Sequence, residues 1–455
     1  MSKRYLIVGI TAVAALWMYI DRVCISILAD PIQTDIGLTD REKARALGAF
    51  FFTYALFQIP VGALADRFGP RLVLSVSIAA WSIVTATTGL VWTFAGLLTV
   101  RLLLGITEAG AYPAASGLVK RWARPDERGF FSSIVALGGR LGGANAPSLT
   151  GWLALLLVGF GFTAWLNNPS GVNWRAVFVL YGLFGLVVAG LFWIIVRDKP
   201  SEVAPQQKET KPNETVDQTK HDPADDWHAL PSPPKNGTRS ATEPTNHRYT
   251  FLGRIGLLAG NRGMWLFGGL QFSNNISWAF LVTLMPTFLK DAGIPFDDRK
   301  DYQTGILYAG CVGMVLGGFL TDLIHRQLGP RWGRSLPIAA MMGGAAMMCG
   351  VLSTSPGLWL SIGALAMMAM FQDMGIPSVW AYAQDVGGKN VGTALGWGNM
   401  WGNFGASLSP VLLTEVQQEG GWQAAFALCA GSYIFSATCG LLLDASKPID
   451  IADPT

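Results

Sequence analysis

Ionisable side chains are scarce in this 455-residue sequence. Lys, Arg, Asp and Glu together make up 14% of it, whereas soluble domains carry about 25%. Hydrophobic residues make up 51%, and they lie in runs of roughly 20 residues, the length that an α-helix needs to cross the hydrocarbon layer of a membrane. The composition therefore excludes an ordinary soluble domain and predicts an all-α integral membrane protein.

Cysteine and histidine are also rare, with five and four residues. The cysteines all fall within the apolar runs and show neither a disulfide framework nor the spacing of metal ligands. The histidines fall in a polar stretch or near the end of an apolar run, so a proton that crosses the interior must be carried by a carboxylate. We predict no metal, no cofactor, no enzymatic activity and no nucleic-acid partner, and we expect a monomer.

The apolar runs predict twelve transmembrane helices. They are 5–28, 45–65, 71–92, 95–119, 129–157, 175–197, 264–289, 303–324, 334–354, 357–383, 391–416 and 421–443. The connecting segments carry more Lys and Arg on the side of the two termini, which places both termini in the cytoplasm. The sequence thus predicts a multi-pass protein of the cell membrane.

A polar stretch rich in Pro, Lys, Glu, Asp and Thr separates the sixth run from the seventh. Such a composition cannot bury enough apolar surface to fold alone. We therefore predict four regions: an N-terminal six-helix bundle at 1–197, a flexible cytoplasmic linker at 198–254, a C-terminal six-helix bundle at 255–445 and a tail at 446–455.

The two halves of the sequence resemble each other. Each has a glycine four residues before an aspartate, at Gly62 and Asp66 and again at Gly318 and Asp322. Four residues of the fifth run recur at one constant offset in the eleventh: Gly129, Gly139, Gly142 and Pro147 correspond to Gly392, Gly402, Gly405 and Pro410. Duplicated membrane units place a binding site at their interface, near the middle of the membrane.

Three motifs connect the sequence with a known family. They are "GALADRFGPR" at 62–71, "YIDR" in the first run and "RLLLGITEAGAYPAASGLVKRWARPDERG" at 101–129. The first resembles the signature loop of the major facilitator superfamily. The other two resemble its anion:cation symporters, which include bacterial hexuronate, galactonate and glucarate transporters and animal sialin and vesicular glutamate transporters. The resemblance implies two pseudo-symmetric six-helix bundles and transport of an organic anion.

A few ionisable residues fall deep within the predicted helices. They are Asp21, Arg22, Arg101, Glu108, Arg140 and Asp373. A charge at the centre of a bilayer costs at least about 2.5–3.5 kcal/mol on insertion scales, so each one needs a partner. Because residues seven apart share one helix face, Arg101 and Glu108 can both face the first helix. We expect Arg22 to reach Glu108 and Asp21 to reach Arg101.

This cluster suggests a coupling mechanism. An anionic substrate can take an arginine away from its acid, and the freed acid then binds a proton. The resemblance implies the same division of roles, with Asp21 and Glu108 in proton coupling and Arg22 and Arg101 in the anion site. The alternative is that these buried pairs only fix the packing of the helices.

Neutral polar side chains complete the predicted substrate site. Tyr54 matches a substrate-lining tyrosine of the family. The others, at the depth of the membrane midplane, are Asn274, Asn275, Gln372, Asn399 and Asn403. They suit the hydroxyl groups of a polyol, although each can also serve as an interhelical hydrogen bond. Trp278, Trp380 and Trp397 could stack on a substrate or simply pack.

Arg140 and Asp373 depart from the family pattern. One interpretation is that they pair with each other. The other, which we favour at this point, is that Arg140 is a third cation of the cavity and selects a substrate with a second carboxylate.

Six further residues lie at helix ends on the predicted cytoplasmic side. They are Gly62, Asp66, Arg67, Arg71, Asp322 and Arg331. We predict that they form a cytoplasmic gate of ion pairs and helix-terminus contacts.

The sequence as a whole favours import of an organic anion by proton symport through alternating access, with a sugar acid such as a hexuronate, aldonate or aldarate as substrate. The partners are then the anion, the proton and the lipid bilayer. Alternatives are a sodium-coupled or uniport carrier of another carboxylate, such as a dicarboxylate or aromatic acid, and a transporter-like sensor that signals through its linker.

Overall fold

The computed structural model describes residues 3–159, 170, 172–200 and 251–449. Its regular elements are helices. They are α1 Lys3–Ile27, α2 Ala29–Ile36, α3 Asp40–Phe68, α4 Pro70–Thr88, α5 Phe94–Glu108, α6 Ala111–Trp122, α7 Arg128–Gly159, α8 Trp174–Ile195, α9 Phe251–Gly260, α10 Arg262–Thr283, α11 Met285–Asp291, α12 Phe296–Ser353, α13 Leu358–Val386 and α14 Val391–Leu442.

Two of these helices are bent and cross the bundle twice. α12 turns at Gly329 (φ 73°) and α14 turns at Gly421 (φ 69°), and a positive φ of this kind is readily adopted only by glycine. Conversely, α5 and α6 form one continuous span. Within the described residues the chain therefore makes twelve crossings in two six-helix bundles, and the predicted fold is confirmed.

The turn at Gly329 has a counterpart in the first half. Gly69 (φ 95°) separates α3 from α4, and Pro70 follows it at the first position of α4, where proline has no hydrogen bond to lose. Pro330 follows Gly329 in the same way. The repeated Gly-Pro pair thus makes the same reversal between the second and third crossings of each half.

The repeated glycines of the fifth and eleventh crossings make equivalent close contacts. A Cβ atom on Gly142 of α7 would lie 2.2 Å from the backbone oxygen of Leu16 in α1. A Cβ atom on Gly405 of α14 would lie 2.1 Å from the backbone oxygen of Phe272 in α10. Small residues let membrane helices approach this closely without a hydrophobic driving force between them. The sequence repeat therefore corresponds to a repeat of helix packing.

The outer surface of the bundle is apolar. Large hydrophobic side chains are exposed along many of the helices, among them Leu155, Leu252 and Trp359, whose exposed fractions are 75%, 77% and 73%. Exposed apolar area of this extent is typical of a surface that contacts lipid. The protein is a multi-pass membrane protein.

The structure describes a few residues at each end of the predicted linker. Residues 201–250 lie outside the described residues. At one end, Asp198 accepts a hydrogen bond from Arg121 at 3.0 Å; at the other, α9 already begins at Phe251. In the predicted tail, the backbone nitrogen of Ile449 donates to the oxygen of Val386 at 2.9 Å.

Candidate functional site

A cavity lies between the two bundles near the middle of the molecule. Its enclosed volume is about 160 Å³. Eight predicted substrate-site residues line it: Arg22, Tyr54, Arg140, Asn274, Asn275, Gln372, Asn399 and Asn403. The cavity draws its walls from both halves, as the sequence repeat predicted.

Arg22 and Glu108 form the predicted ion pair. Both Nε and Nη2 of Arg22 donate to Oε2 of Glu108, at 3.0 and 2.8 Å. Glu108 is fully buried, and its other oxygen has no hydrogen-bond partner within the described part of the chain. The guanidinium carbon of Arg22 also lies 4.4 Å from the ring centre of Tyr54. The Arg22 cation at the cavity wall is thus stabilised by the buried acid Glu108 and by contact with the faces of aromatic rings.

The expected contact between Asp21 and Arg101 is wrong. Asp21 is 1% exposed, and neither of its carboxylate oxygens has a hydrogen-bond partner among the described residues. Arg101 is 3% exposed and does not line the cavity; its guanidinium carbon lies 4.9 Å from the ring centre of Phe50. Asp21 and Arg22 are successive, so their side chains point in different directions, and only Arg22 faces the cavity.

Arg140 and Asp373 pair with each other across the two bundles. Nη2 of Arg140 in α7 donates to Oδ1 of Asp373 in α13 at 2.6 Å. The Arg140 guanidinium carbon also lies 5.2 Å from the ring centre of Trp278. The interpretation that we favoured from the sequence, in which Arg140 is an unpaired third cation, is therefore wrong for this conformation.

The C-terminal half supplies neutral groups to the cavity. Asn275 and Asn403 donate to the backbone oxygens of Gln271 and Asn399, one helical turn earlier, at 2.8 and 2.7 Å. Gln372 accepts from the Tyr433 hydroxyl at 2.8 Å. Oδ1 of Asn274 is buried without a partner among the described residues. Amide atoms that are free, or that hold only a local bond, remain available to a ligand.

Three polar lining residues were missed from the sequence. Tyr19, Tyr112 and Gln271 contribute to the cavity wall. Helical spacing could have found them, because Tyr19 precedes Arg22 by three residues and Tyr112 follows Glu108 by four. Of the three tryptophans considered, Trp278 and Trp380 line the cavity, whereas the indole of Trp397 donates to the Met264 backbone oxygen at 2.9 Å.

The bundles close against each other at the end that carries both termini, and we call this closure the gate. Asp66, near the end of α3, accepts from the backbone nitrogens of Gly392 and Thr393 at 2.7 and 2.8 Å. These nitrogens open α14, so Asp66 caps a helix of the opposite bundle.

Asp322 makes the symmetry-related contact in the other half. It accepts from the backbone nitrogens of Gly129 and Phe130 at the start of α7, both at 2.8 Å. A carboxylate from each bundle therefore caps the first turn of a helix in the other.

Glycine lets the backbones meet at the gate. A Cβ atom on Gly62 would lie 2.3 Å from the backbone oxygen of Gly392, and one on Gly129 would lie 2.7 Å from Oδ1 of Asp322. Any side chain at these positions would push the bundles apart.

The predicted arginines do not form the ion pairs of the gate. Arg67 and Arg331 lie beside the rings of Phe68 and Trp332, and Arg71 donates to the Trp193 backbone oxygen at 2.8 Å. A different set of residues crosses between the bundles at this end. Arg128 pairs with Asp385, Arg334 donates to the Pro125 backbone oxygen at 2.6 Å, and Arg326 pairs with Asp126 at 3.3 Å.

This architecture can be compared with known proteins. A family model described as "Major Facilitator Superfamily" matches residues 11–410. The chain belongs to the major facilitator superfamily. Members of this superfamily are transporters, and the relatives found are transporters rather than enzymes.

Curated relatives cover nearly the whole chain. A probable sulfoacetate transporter of Cupriavidus necator is 27% identical, over 99% of this chain and 96% of its own length. The hexuronate transporter of Bacillus subtilis is 25% identical, over 92% and 89%. A probable galactarate/D-glucarate transporter of Escherichia coli is 27% identical, over 97% and 94%. These relatives are named as carriers of small organic acids.

Solved structures share the fold. A superfamily transporter, FucP, in the outward conformation has a TM-score of 0.70 at 15% identity, covering 96% of this chain and 98% of its own. A bacterial homologue of the human lysosomal transporter Spinster, inward-facing, has a TM-score of 0.55 at 19% identity, covering 98% and 97%.

Proposed function

We propose that this chain imports an organic anion, a sugar acid such as a hexuronate, aldonate or aldarate, across the cell membrane by proton symport. The single observation that carries the proposal is Arg22 at the wall of the interbundle cavity with two buried acids behind it: Glu108 pairs with Arg22, and Asp21 has no hydrogen-bond partner among the described residues. The relatives named as carriers of small organic acids add support.

The anion enters by competing for Arg22. The planar guanidinium can bind both oxygens of a substrate carboxylate, which is the geometry that arginine prefers. Glu108 already engages two nitrogens of Arg22 through a single oxygen. When the substrate carboxylate binds these nitrogens, buried Glu108 must share Arg22 with the substrate. The protonated, neutral form of Glu108 is then its more stable form.

Asp21 supplies a second place for a proton. A buried carboxylate without a partner is more stable as the neutral acid than as the anion. Asp21 therefore loads a proton while the cavity is open and releases it when water reaches the site from the other side. The anion and proton then cross together, so the protein does not carry a net negative charge through the membrane.

Alternating access follows from the gate. The gate side carries both termini, and we assign it to the cytoplasm, which makes the described conformation outward-facing. Loading of the cavity lets the bundles close on the far side, and the contacts of Asp66 and Asp322 then separate on the near side. The chain acts in this scheme as a monomer, because both bundles of the site belong to one chain.

Uptake into proteoliposomes tests the proposal. With an acidic medium outside the liposomes and an alkaline one inside, we expect labelled glucuronate or gluconate to accumulate above its external concentration. A protonophore should abolish this accumulation. A sodium gradient at equal pH should drive none; accumulation under that gradient would instead favour sodium coupling. Equilibration without accumulation under either gradient would indicate a uniporter, and a sensor would catalyse no uptake.

A further inference from the structure

The Arg140–Asp373 ion pair is placed at the cavity but only one of its members faces it. Arg140 lines the cavity wall, whereas Asp373 is 5% exposed and is not among the described lining residues. Asp373 packs against α12 so closely that a Cβ atom on Gly310 would lie 2.5 Å from its Oδ2. The carboxylate is therefore fixed behind the guanidinium by a backbone contact.

The charge balance of this pair differs from that of the Arg22 cluster. Arg22 and Arg101 lie beside the same ring, with their guanidinium carbons 5.0 and 4.9 Å from the ring centre of Phe50, and Arg22 pairs with Glu108, so two cations lie near one paired acid. With Asp21 as a neutral acid, that cluster carries a surplus of one positive charge. Among the described residues, Asp373 forms one ion pair, with Arg140 at 2.6 Å, so the interbundle pair is balanced by itself.

We propose that Asp373 determines the charge of the substrate: by neutralising Arg140 it restricts the cavity to anions with one acidic group. Arg22 receives that group. Arg140 keeps nitrogen donors at the cavity wall and uses them for uncharged acceptors such as hydroxyl groups. This inference rests on the proposed function and narrows it to the monoacids among the sugar acids.

A second acidic group on the substrate would lie next to Arg140, which is already paired with Asp373. To bind it, Arg140 would have to leave Asp373, and Asp373 would remain as an unpaired carboxylate in a buried position. The indole of Trp278, which also contacts the guanidinium, further holds Arg140 in place. A hydroxyl group needs no such rearrangement, because it accepts a hydrogen bond from Arg140 while the ion pair stays intact.

Two pairs of ligands isolate this difference. D-Gluconate and D-glucarate share one carbon chain and differ only in whether carbon 6 is an alcohol or a carboxylate. Isethionate and sulfoacetate are two-carbon sulfonates that differ in the same way, one with an alcohol and the other with a carboxylate. Binding to the purified full-length protein is measured by calorimetry for all four. We expect the monoacid of each ligand pair, gluconate or isethionate, to bind at least tenfold more tightly than the corresponding diacid.

Substitutions then exchange the preference. Asp373→Asn removes the negative charge at constant size, so Arg140 becomes a free cation, and we expect diacid affinity to rise at least tenfold with monoacid affinity changed less than threefold. The double variant Arg140→Gln, Asp373→Asn is neutral again and should restore the preference for the monoacid. Arg140→Gln alone leaves Asp373 buried without its partner, so Asp373 takes up a proton, and this variant should also keep the preference for the monoacid.

Several outcomes would overturn the proposal. One is a wild-type protein that prefers the diacid and loses this preference in Arg140→Gln, because Arg140 would then bind the ligand's second acid itself. Another is an unchanged preference in Asp373→Asn. If Asp373→Asn does not fold, the double variant decides: it must keep the monoacid preference. Binding with the wrong preference contradicts this inference alone, whereas no binding of any of the four acids contradicts the proposed function as well.

Discussion

The two halves of the molecule are built alike at the gate and differently at the cavity. At the gate, Asp66 and Asp322 make matching contacts with the helices of the opposite bundle. At the cavity, the N-terminal half contributes the arginines and the buried acids Asp21 and Glu108, whereas the C-terminal half lines the wall with asparagine and glutamine and contributes one buried acid, Asp373. The two halves therefore share the same gate contacts but contribute different kinds of side chain to the cavity.

The energetics of the membrane interior explain what this division allows. Removing one partner of a buried ion pair typically destabilises by about 3–5 kcal/mol, which couples the anion site tightly to the state of its acids. A neutral hydrogen bond contributes a net of about 0.5–1.5 kcal/mol. Binding of the anion and handling of the proton are thus assigned to the N-terminal half, where the energies are large. The amides of the C-terminal half add hydrogen bonds of small energy to neutral substrate groups.

The largest expected loss of substrate affinity comes from removing a charge in the N-terminal half. Arg22→Gln should reduce the affinity for any acid that the wild type binds by at least 100-fold, since it removes the cation and leaves Glu108 buried without its hydrogen-bonded partner. Calorimetry with gluconate or glucuronate measures this. Arg22→Lys is the matched control and should retain part of the affinity as a point charge without the planar fork. Wild-type affinity in Arg22→Gln would place the anion site elsewhere.

A second effect in the same half concerns coupling rather than affinity. Asp21→Asn mimics the protonated acid permanently, so accumulation driven by a pH gradient should fall to the level of empty liposomes. Exchange of labelled for unlabelled substrate at equal pH needs no net proton movement and should keep at least a third of its rate. Equal loss of both activities, with substrate binding also lost, would instead indicate a structural role for Asp21.

The difference between halves was only partly predictable from the sequence. Apolar runs and repeated glycines predict twelve crossings and their pairing, because burial and close helix contact leave local signals such as Gly142 and Gly405. The lining residues follow from depth along a helix, which explains why eight of the nine predicted substrate-site residues line the cavity.

Partner choice between distant side chains leaves no local signal. Asp21 and Arg101 share the correct depth but point in different directions, and rotation about the helix axis depends on packing against every neighbour. Arg331 follows Gly329-Pro330 as Arg71 follows Gly69-Pro70, yet Arg334, one turn later, makes the gate contacts. The pattern identified the turn of helix that carries the charge and missed which residue reaches across.

The likeness of the halves at the gate gives a prediction of intermediate size. Gly62→Ala places a Cβ atom 2.3 Å from a backbone oxygen of the other bundle, and Gly318→Ala places one 2.5 Å from the Ser133 hydroxyl. Both should weaken the closed gate, so a cysteine introduced at buried Val391 should react with a water-soluble thiol reagent several-fold faster.

Gly431 provides the control for these two substitutions. It lies within α14 with nothing within 4 Å of an added Cβ atom, so Gly431→Ala should leave the labelling rate at Val391→Cys unchanged. An effect of Gly62→Ala without one of Gly318→Ala would show that the two gate contacts are not mechanically equivalent.

The smallest effect is expected in the neutral half. Asn403→Ala removes an amide that lines the cavity and holds only a backbone oxygen of its own helix. Loss of one hydrogen bond to a sugar hydroxyl corresponds to about a 2- to 10-fold lower affinity for gluconate, and accumulation under a pH gradient should persist because no charge has changed. Ser407→Ala, one turn further along α14 and exposed outside the cavity, should have no effect. An Asn403→Ala loss as large as that of Arg22→Gln would mean that both halves contribute equally to binding, and the division of chemistry between them would not hold.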